Sequence, residues 1–311
     1  MRSSSDDRTA GLIAYLALTA AVVLWGGSFA AMRSAVGDIG AFGVMSLRSL
    51  VATAVLLPFA PGFLRELRRC RRPGDGRLLV FTVLMQPCLY FLFEANALRF
   101  TSASQAGVIA AIVPILTAVG AWMVLKEPVG GRVVLGMVMA IAGIVIITFG
   151  GNGVGDAPRP LLGNLLEVAA MVCGAANLVA VRGLSRRYGT WLLTALQTVT
   201  GAVFFLPGLA MVIRSGIGVV QLPWIPILYL GVGASLGAFG LYNWGMARIP
   251  AARASSFINL VPVVAALGGW LFLGEILSPV QIAGSAAVLS GVLLSQKRAK
   301  AEPVPTGPVD A

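Results

Sequence analysis

The sequence contains no histidine, and its three cysteines, Cys70, Cys88 and Cys173, share no CxxC or metal-ligand spacing. A metal centre and a disulfide framework are therefore both unsupported, and Cys88 and Cys173 read as ordinary apolar filler. Charge is scarce as well. Charged residues make up 11% of the chain, against about 25% in a typical soluble domain. With no histidine and no paired aspartates inside the apolar segments, a membrane-embedded enzyme lacks its nucleophile–base set, so no enzymatic activity and no cofactor are expected. The glycine-rich stretch Gly150–Gly155 lacks the Lys-Ser/Thr of a phosphate-binding loop. It reads as a flexible link between two halves. Apolar runs such as Val133–Phe149 show no period-two alternation, which excludes a membrane β-barrel.

What is present is apolar: 58% hydrophobic residues and a mean hydropathy of +0.88. A helix needs roughly 20 apolar residues to cross the hydrocarbon core. Ten segments qualify: 11–32, 40–60, 78–98, 102–125, 130–149, 161–181, 190–213, 224–247, 251–273 and 279–296. The first run is too long for a cleavable signal peptide and lacks a small-x-small cleavage site. The tail 297–311, with Pro303, Pro305 and Pro308, reads as disordered and cytoplasmic. The net charge of +11 would suggest nucleic acid in a soluble protein. Here the basic residues sit in short loops, where they set topology, and no nucleic-acid partner is expected. With the N-terminus in the cytoplasm, 18 of the 23 Lys and Arg fall inside, four fall outside, and Arg48 lies within the second segment. That bias places both termini in the cytoplasm of a bacterial-type plasma (inner) membrane.

The sequence repeats. Laying 103–143 over 251–291, a constant offset of 148, matches 11 of 41 positions without a gap, including Pro114/Pro262, Trp122/Trp270, Glu127/Glu275, Gly136/Gly284 and Gly143/Gly291. A shared Pro, Trp and Glu in one register is hard to reach by chance. Trp25-Gly26 falls opposite Cys173-Gly174, a weaker echo. Two halves, 11–149 and 161–296, each of five helices, follow. Five is odd, so the second half enters the membrane from the opposite side. Such inverted repeats are the architecture of alternating access, with a site between the halves near the midplane. The fold class is all-α: ten transmembrane helices as two inverted five-helix repeats.

Trp25-Gly26-Gly27-Ser28-Phe29, Arg48, the paired Pro…Trp…Glu blocks and Pro250-Ala251-Ala252-Arg253-Ala254-Ser255-Ser256 resemble the drug/metabolite transporter superfamily, in its ten-helix branch with two EamA domains. The resemblance covers roughly 11–296. It implies a secondary transporter, and among relatives the chain is most similar in kind to amino-acid exporters of the YddG type. In one departure the second half has Cys173 and Leu196 where the first has Trp25 and Arg48, so any site is asymmetric.

Polar groups inside a bilayer are costly and mark function by default. Gln86, Tyr90 and Glu94 recur at i, i+4 and i+8, one face of a helix. This face reads either as a cavity wall with Glu94 as a proton carrier, or as a structural surface with Glu94 paired to Arg99. Glu167 is an expected outer-vestibule charge, and Asn177, on the same stripe, either lines the cavity or bonds a neighbouring helix. Tyr242, Ser255 and Asn259 are further substrate-binding candidates, since aromatic rings beside amides suit an amphipathic ligand and hold an ammonium by cation–π contact. Trp25, Arg48, Pro114, Pro262, Glu127 and Glu275 are assigned to gating or scaffold, the prolines because each removes a backbone hydrogen bond within a span. The expected function is export of small amphipathic metabolites, most simply amino acids (aromatic ones among them). The alternative is a multidrug or quaternary-ammonium exporter anchoring cations on Glu94 and Glu167. The partners are a small-molecule substrate, the lipid bilayer and a coupled proton, and the chain is expected as a monomer or weak homodimer.

Overall fold

A computed structural model describes residues 4–70, 74–125, 130–150, 158–184, 187–246 and 257–296. Among these residues there are helices and turns and no strands. Six helices are long and apolar enough to cross a membrane, and a seventh span is the pair Thr190–Phe204 and Leu206–Arg214, bent by 42° at the join. Val261–Leu273 and Pro279–Gln296 are shorter apolar helices.

The ten expected segments and these helices correspond once the breaks are considered. The first two segments form one run, Ser4–Leu56, with no loop between them. A straight helix of that length would reach about 80 Å, far beyond a bilayer core of about 30 Å. The break is at Gly40, whose φ of 72° and ψ of 164° lie outside the helical region, a backbone that glycine adopts without strain. The fourth segment is Ala103–Ala110, a turn at 111–112 and Val113–Leu125; the ninth, from residue 257 on, is a turn at 259–260 followed by Val261–Leu273. Pro114 and Pro262 stand in the first turn of the resumed helices, where their missing N–H costs nothing. The two breaks are themselves 148 residues apart. The third segment (Asp75–Ala97) and the eighth (Trp224–Met246) each carry a wide π-helical stretch, Leu84–Leu89 and Tyr229–Gly237.

The most extensive helix contact joins Gly131–Phe149 to Pro279–Gln296, the last helices of the two halves. A Cβ on Gly143 would lie 2.6 Å from the Gly284 carbonyl oxygen, and one on Gly284 would lie 2.9 Å from that of Gly143. Gly136 and Gly291 approach each other even more closely. The offset pairs Gly136 with Gly284 and Gly143 with Gly291. Each glycine therefore packs against the copy of the other, which is what a two-fold relation between antiparallel halves requires. Small residues allow this close approach where lipid offers no hydrophobic drive between helices. Trp122 and Trp270, the matched tryptophans, both lie on the outer surface, 51% and 58% exposed. Phe149, Val138 and Ile282 are exposed there too, so the rim is apolar, as a lipid-facing surface must be.

Polar contacts tie helix ends at two faces. On one, Arg33 approaches Glu275 at 3.3 Å and donates to the Leu98 and Thr101 carbonyls, Ser278 donates to the Gly150 carbonyl, and the Arg159 amide donates to the Phe100 carbonyl. On the other, Arg187 pairs with Asp75 at 2.9 Å, the Tyr188 hydroxyl donates to the same carboxylate, and the Gly189 amide donates to Glu66. Each set joins only ends that a ten-span path places on the same side. Glu66 belongs to Ala60–Cys70, a helix with Arg68 and Arg69 in its last turn and exposed Leu64, the pattern of a helix lying at the membrane interface.

Candidate functional site

Two walls with different chemistry are built around the third and eighth spans, which the offset of 148 pairs. The polar wall is on the third span. Gln86 sits there in extended backbone, φ −140° and ψ 122°, because the residue before a proline is pushed out of the helical region. The expectation of one regular face through Gln86, Tyr90 and Glu94 is thus corrected: Pro87 ends the α-helical register, and only Tyr90 and Glu94 share a helix turn. The Tyr90 hydroxyl donates to Glu94 at 2.8 Å. Gln86 joins a separate amide chain, accepting from Asn177 at 2.8 Å, while Asn177 accepts from Gln197 at 3.0 Å. That chain links the third, sixth and seventh spans.

Arg48 is 5% exposed and held by two neighbours. Its guanidinium donates to the Ser235 hydroxyl at 2.9 and 3.3 Å and stacks over the Phe91 ring at 4.3 Å. Glu94, itself buried, supplies the opposing charge. Arg99 is not the partner of Glu94: it turns to Asn96 and lies over Phe100. Ser235 was not legible as a site residue, although the offset sets it opposite Pro87, a hint that this stretch departs from regular helix. Glu167 is 0% exposed, so its expected place in an outer vestibule is corrected. It faces inward from the sixth span, where Glu94 acts on it.

The aromatic wall joins the two halves, with Trp25 from the first span and Phe239 and Tyr242 from the eighth. Trp25 meets Phe239 edge-on and Tyr242 at a tilt, both with ring centroids 5.2 Å away. Gly26 and Gly27 let this wall form, since a side chain on either would run into Val264 or the Tyr229 hydroxyl. Tyr229 in turn donates to the Leu24 carbonyl at 2.9 Å. The offset pairs Phe91 with Phe239 and Glu94 with Tyr242. Equivalent places thus carry a carboxylate in one half and a phenol in the other. Trp25 and Phe91 pack against one shared apolar core that also holds Phe29, Met45 and Val261.

Glu275 caps a helix. Its carboxylate accepts from the Ala103 amide (2.7 Å), the Ser104 amide (2.8 Å) and the Ser104 hydroxyl (2.6 Å), at the N-terminus of Ala103–Ala110, where orphan donors and the helix dipole favour an anion. Beside it Thr101 donates to Asn164 at 2.6 Å, and Asn164 donates to Gln105 and Thr148. Thr101, Gln105, Thr148 and Asn164 knit three spans together, and none of the four stood out in the sequence because each looks like an isolated polar residue near a loop. Arg33 was legible only as one of the outer-loop charges. Asn259 is half-buried at the turn before Val261. Ser255 and Glu127 lie outside the described residues, as does the tail 297–311.

The EamA-like transporter family model matches the chain twice, over residues 12–149 and 161–296. The chain belongs to the EamA-like transporter family. The protein is therefore a multi-pass membrane transporter and not an enzyme. It is 29% identical to the uncharacterized transporter YcxC of Bacillus subtilis, covering 90% of this chain and 91% of that one. A probable terminal-alkyne amino-acid exporter of Streptantibioticus cattleyicolor is 28% identical over 91% of this chain and 93% of its own length. One crystal structure shares the fold with a TM-score of 0.58 and 22% identity, covering 93% of this chain and 96% of that chain. The aromatic and polar walls described above therefore lie within an EamA-type transporter.

Proposed function

We propose that this EamA-family protein exports amino acids, aromatic ones included, by alternating access between its two inverted halves. The observation that carries this reading is the asymmetry of the walls. Arg48 and Glu94 contribute one basic and one acidic side chain from the first half, and the aromatic wall brings Trp25 together with Phe239 and Tyr242 of the second half. A zwitterion presents the complement of that pair, with Arg48 opposite its carboxylate and Glu94 opposite its ammonium. The rings accommodate an apolar or aromatic side chain. The relative named as an amino-acid exporter supports the same substrate class.

Both termini lie in the cytoplasm on this reading, which puts the Arg33–Glu275 face outside. The bonding there supports a state closed to the exterior. On this reading the substrate gradient or a coupled ion drives the cycle. Cells overexpressing the protein should grow in toxic amino-acid analogues such as p-fluorophenylalanine while gaining no resistance to lipophilic or quaternary-ammonium cations. Resistance to the cations alone would replace this reading with multidrug export.

A further inference from the structure

Glu167 has no place in the two walls, yet it is a charged residue type at full burial. It is 0% exposed, and neither of its carboxylate oxygens has a hydrogen-bond partner, a distinction held among the described residues by no other acidic side chain. Its neighbours deepen the oddity. From the third span Glu94 and Tyr90 act on it, and the Tyr90 hydroxyl is already committed to Glu94. The segments Ala103–Ala110 and Val113–Leu125, also packed on this helix, carry no ionisable side chain, and the helix Gly131–Phe149 carries only Arg132 at its opposite end. On its own helix Met171 and Ala170 continue an apolar core made with Val108, Ile109 and Ile112. Arg48, the guanidinium that acts on Glu94, is itself held by Ser235 and Phe91.

An ionised, unpaired carboxylate in such surroundings costs several kcal/mol or more. A cation would relieve it, but a water-sized occupant needs a cavity of at least about 10–15 Å³ by probe volume, and both oxygens are closed off. A proton is the one cation that needs no room. Resting on the transport reading above, we infer that Glu167 is the proton-carrying group of the cycle, holding a proton in this outward-closed state, while Glu94 serves the substrate. The carboxylate takes the proton from the external side when the outer face opens, forming an O–H bond. It releases the proton to the cytoplasm when the inner path opens, as substrate leaves in the other direction. No other reactant is consumed.

The inference has a test that does not depend on knowing the substrate. In the wild-type protein in proteoliposomes at neutral pH, infrared spectroscopy should show a carboxylic-acid C=O stretch. The band should vanish in Glu167→Gln and persist in Glu94→Gln. Because Gln is a neutral isostere of the protonated acid, Glu167→Gln should be as heat-stable as the wild type. With L-phenylalanine as the probe, Glu167→Gln should keep substrate–substrate exchange while losing at least tenfold in flux driven by a pH gradient. A wild type without the band, a band untouched by Glu167→Gln, or a sodium gradient driving flux in place of the pH gradient would overturn the assignment. If L-phenylalanine is not moved by any variant, the substrate reading fails, and the infrared band and heat stability still decide the role of Glu167.

Discussion

Replacing Glu275 with Gln should unlatch the face on which Arg33 and the Ala103 helix meet. The carboxylate takes three hydrogen bonds at 2.6–2.8 Å and lies 3.3 Å from Arg33. A hydrogen bond to a charged group contributes about 1.5–3 kcal/mol, against about 1 for a neutral one. Gln keeps the shape and one acceptor oxygen but loses the charge and points an amide toward donors. A loss of about 3 kcal/mol is a moderate expectation from those differences, and at about 1.4 kcal/mol per tenfold it shifts the open-to-closed ratio by roughly 100-fold. The whole effect falls on the closed state, because Glu275 and Ala103 lie on different halves and separate when that face opens. The assay is labelling of a cysteine at position 98, where Leu98 is 2% exposed, by a membrane-impermeant thiol reagent applied from outside. Cys70, Cys88 and Cys173 are first replaced by alanine. Labelling should be slow with Glu275 present and many-fold faster in Glu275→Gln, while a cysteine at buried position 184 near the other face, probed with the same reagent in inside-out vesicles, stays protected. Equal rates in the two backgrounds would refute the latch. Equal acceleration at positions 98 and 184 would show general loosening instead.

Gly143→Ala should cost about 1–3 kcal/mol through overpacking, since its Cβ meets the Gly284 carbonyl. Gly131→Ala, with open space around it, should cost nothing, and the melting temperatures of the detergent-solubilised variants by size-exclusion fluorescence separate the two. Arg48→Lys keeps the charge but loses the paired contact to Ser235 and the stacking over Phe91. It should reduce amino-acid exchange by about tenfold, more than Ser235→Ala does, as measured in proteoliposomes.

Much of the scaffold was legible because it rests on covalent and steric facts that a sequence displays. Pro114 and Pro262 announce breaks, glycines at 136, 143, 284 and 291 mark the repeat register, and hydropathy marks the spans. Gly40 was harder to read: nothing in the apolar run from 11 to 60 says that a single glycine replaces a loop. In the site, chain spacing carried Tyr90 to Glu94 because they share one turn. It failed at Gln86, where Pro87 switches the backbone to an extended form. It failed again at Glu167, whose burial depends on what the third and fourth spans place around it. Partners contributed by distant spans, such as Ser235 for Arg48 and Arg33 for Glu275, are set by the packing of the two halves. No local pattern encodes them.

On the proposed reading, an EamA-type inverted repeat moves amino acids by exposing one site alternately to the two sides. Trans-stimulation tests it most directly. Proteoliposomes holding purified wild-type protein are loaded with unlabelled L-phenylalanine, and uptake of external labelled L-phenylalanine is followed. A single site that alternates between faces predicts faster uptake into loaded vesicles than into unloaded ones, with a quaternary-ammonium load giving no such stimulation. Uptake indifferent to the internal amino acid, or stimulated only by the cation, would contradict the account.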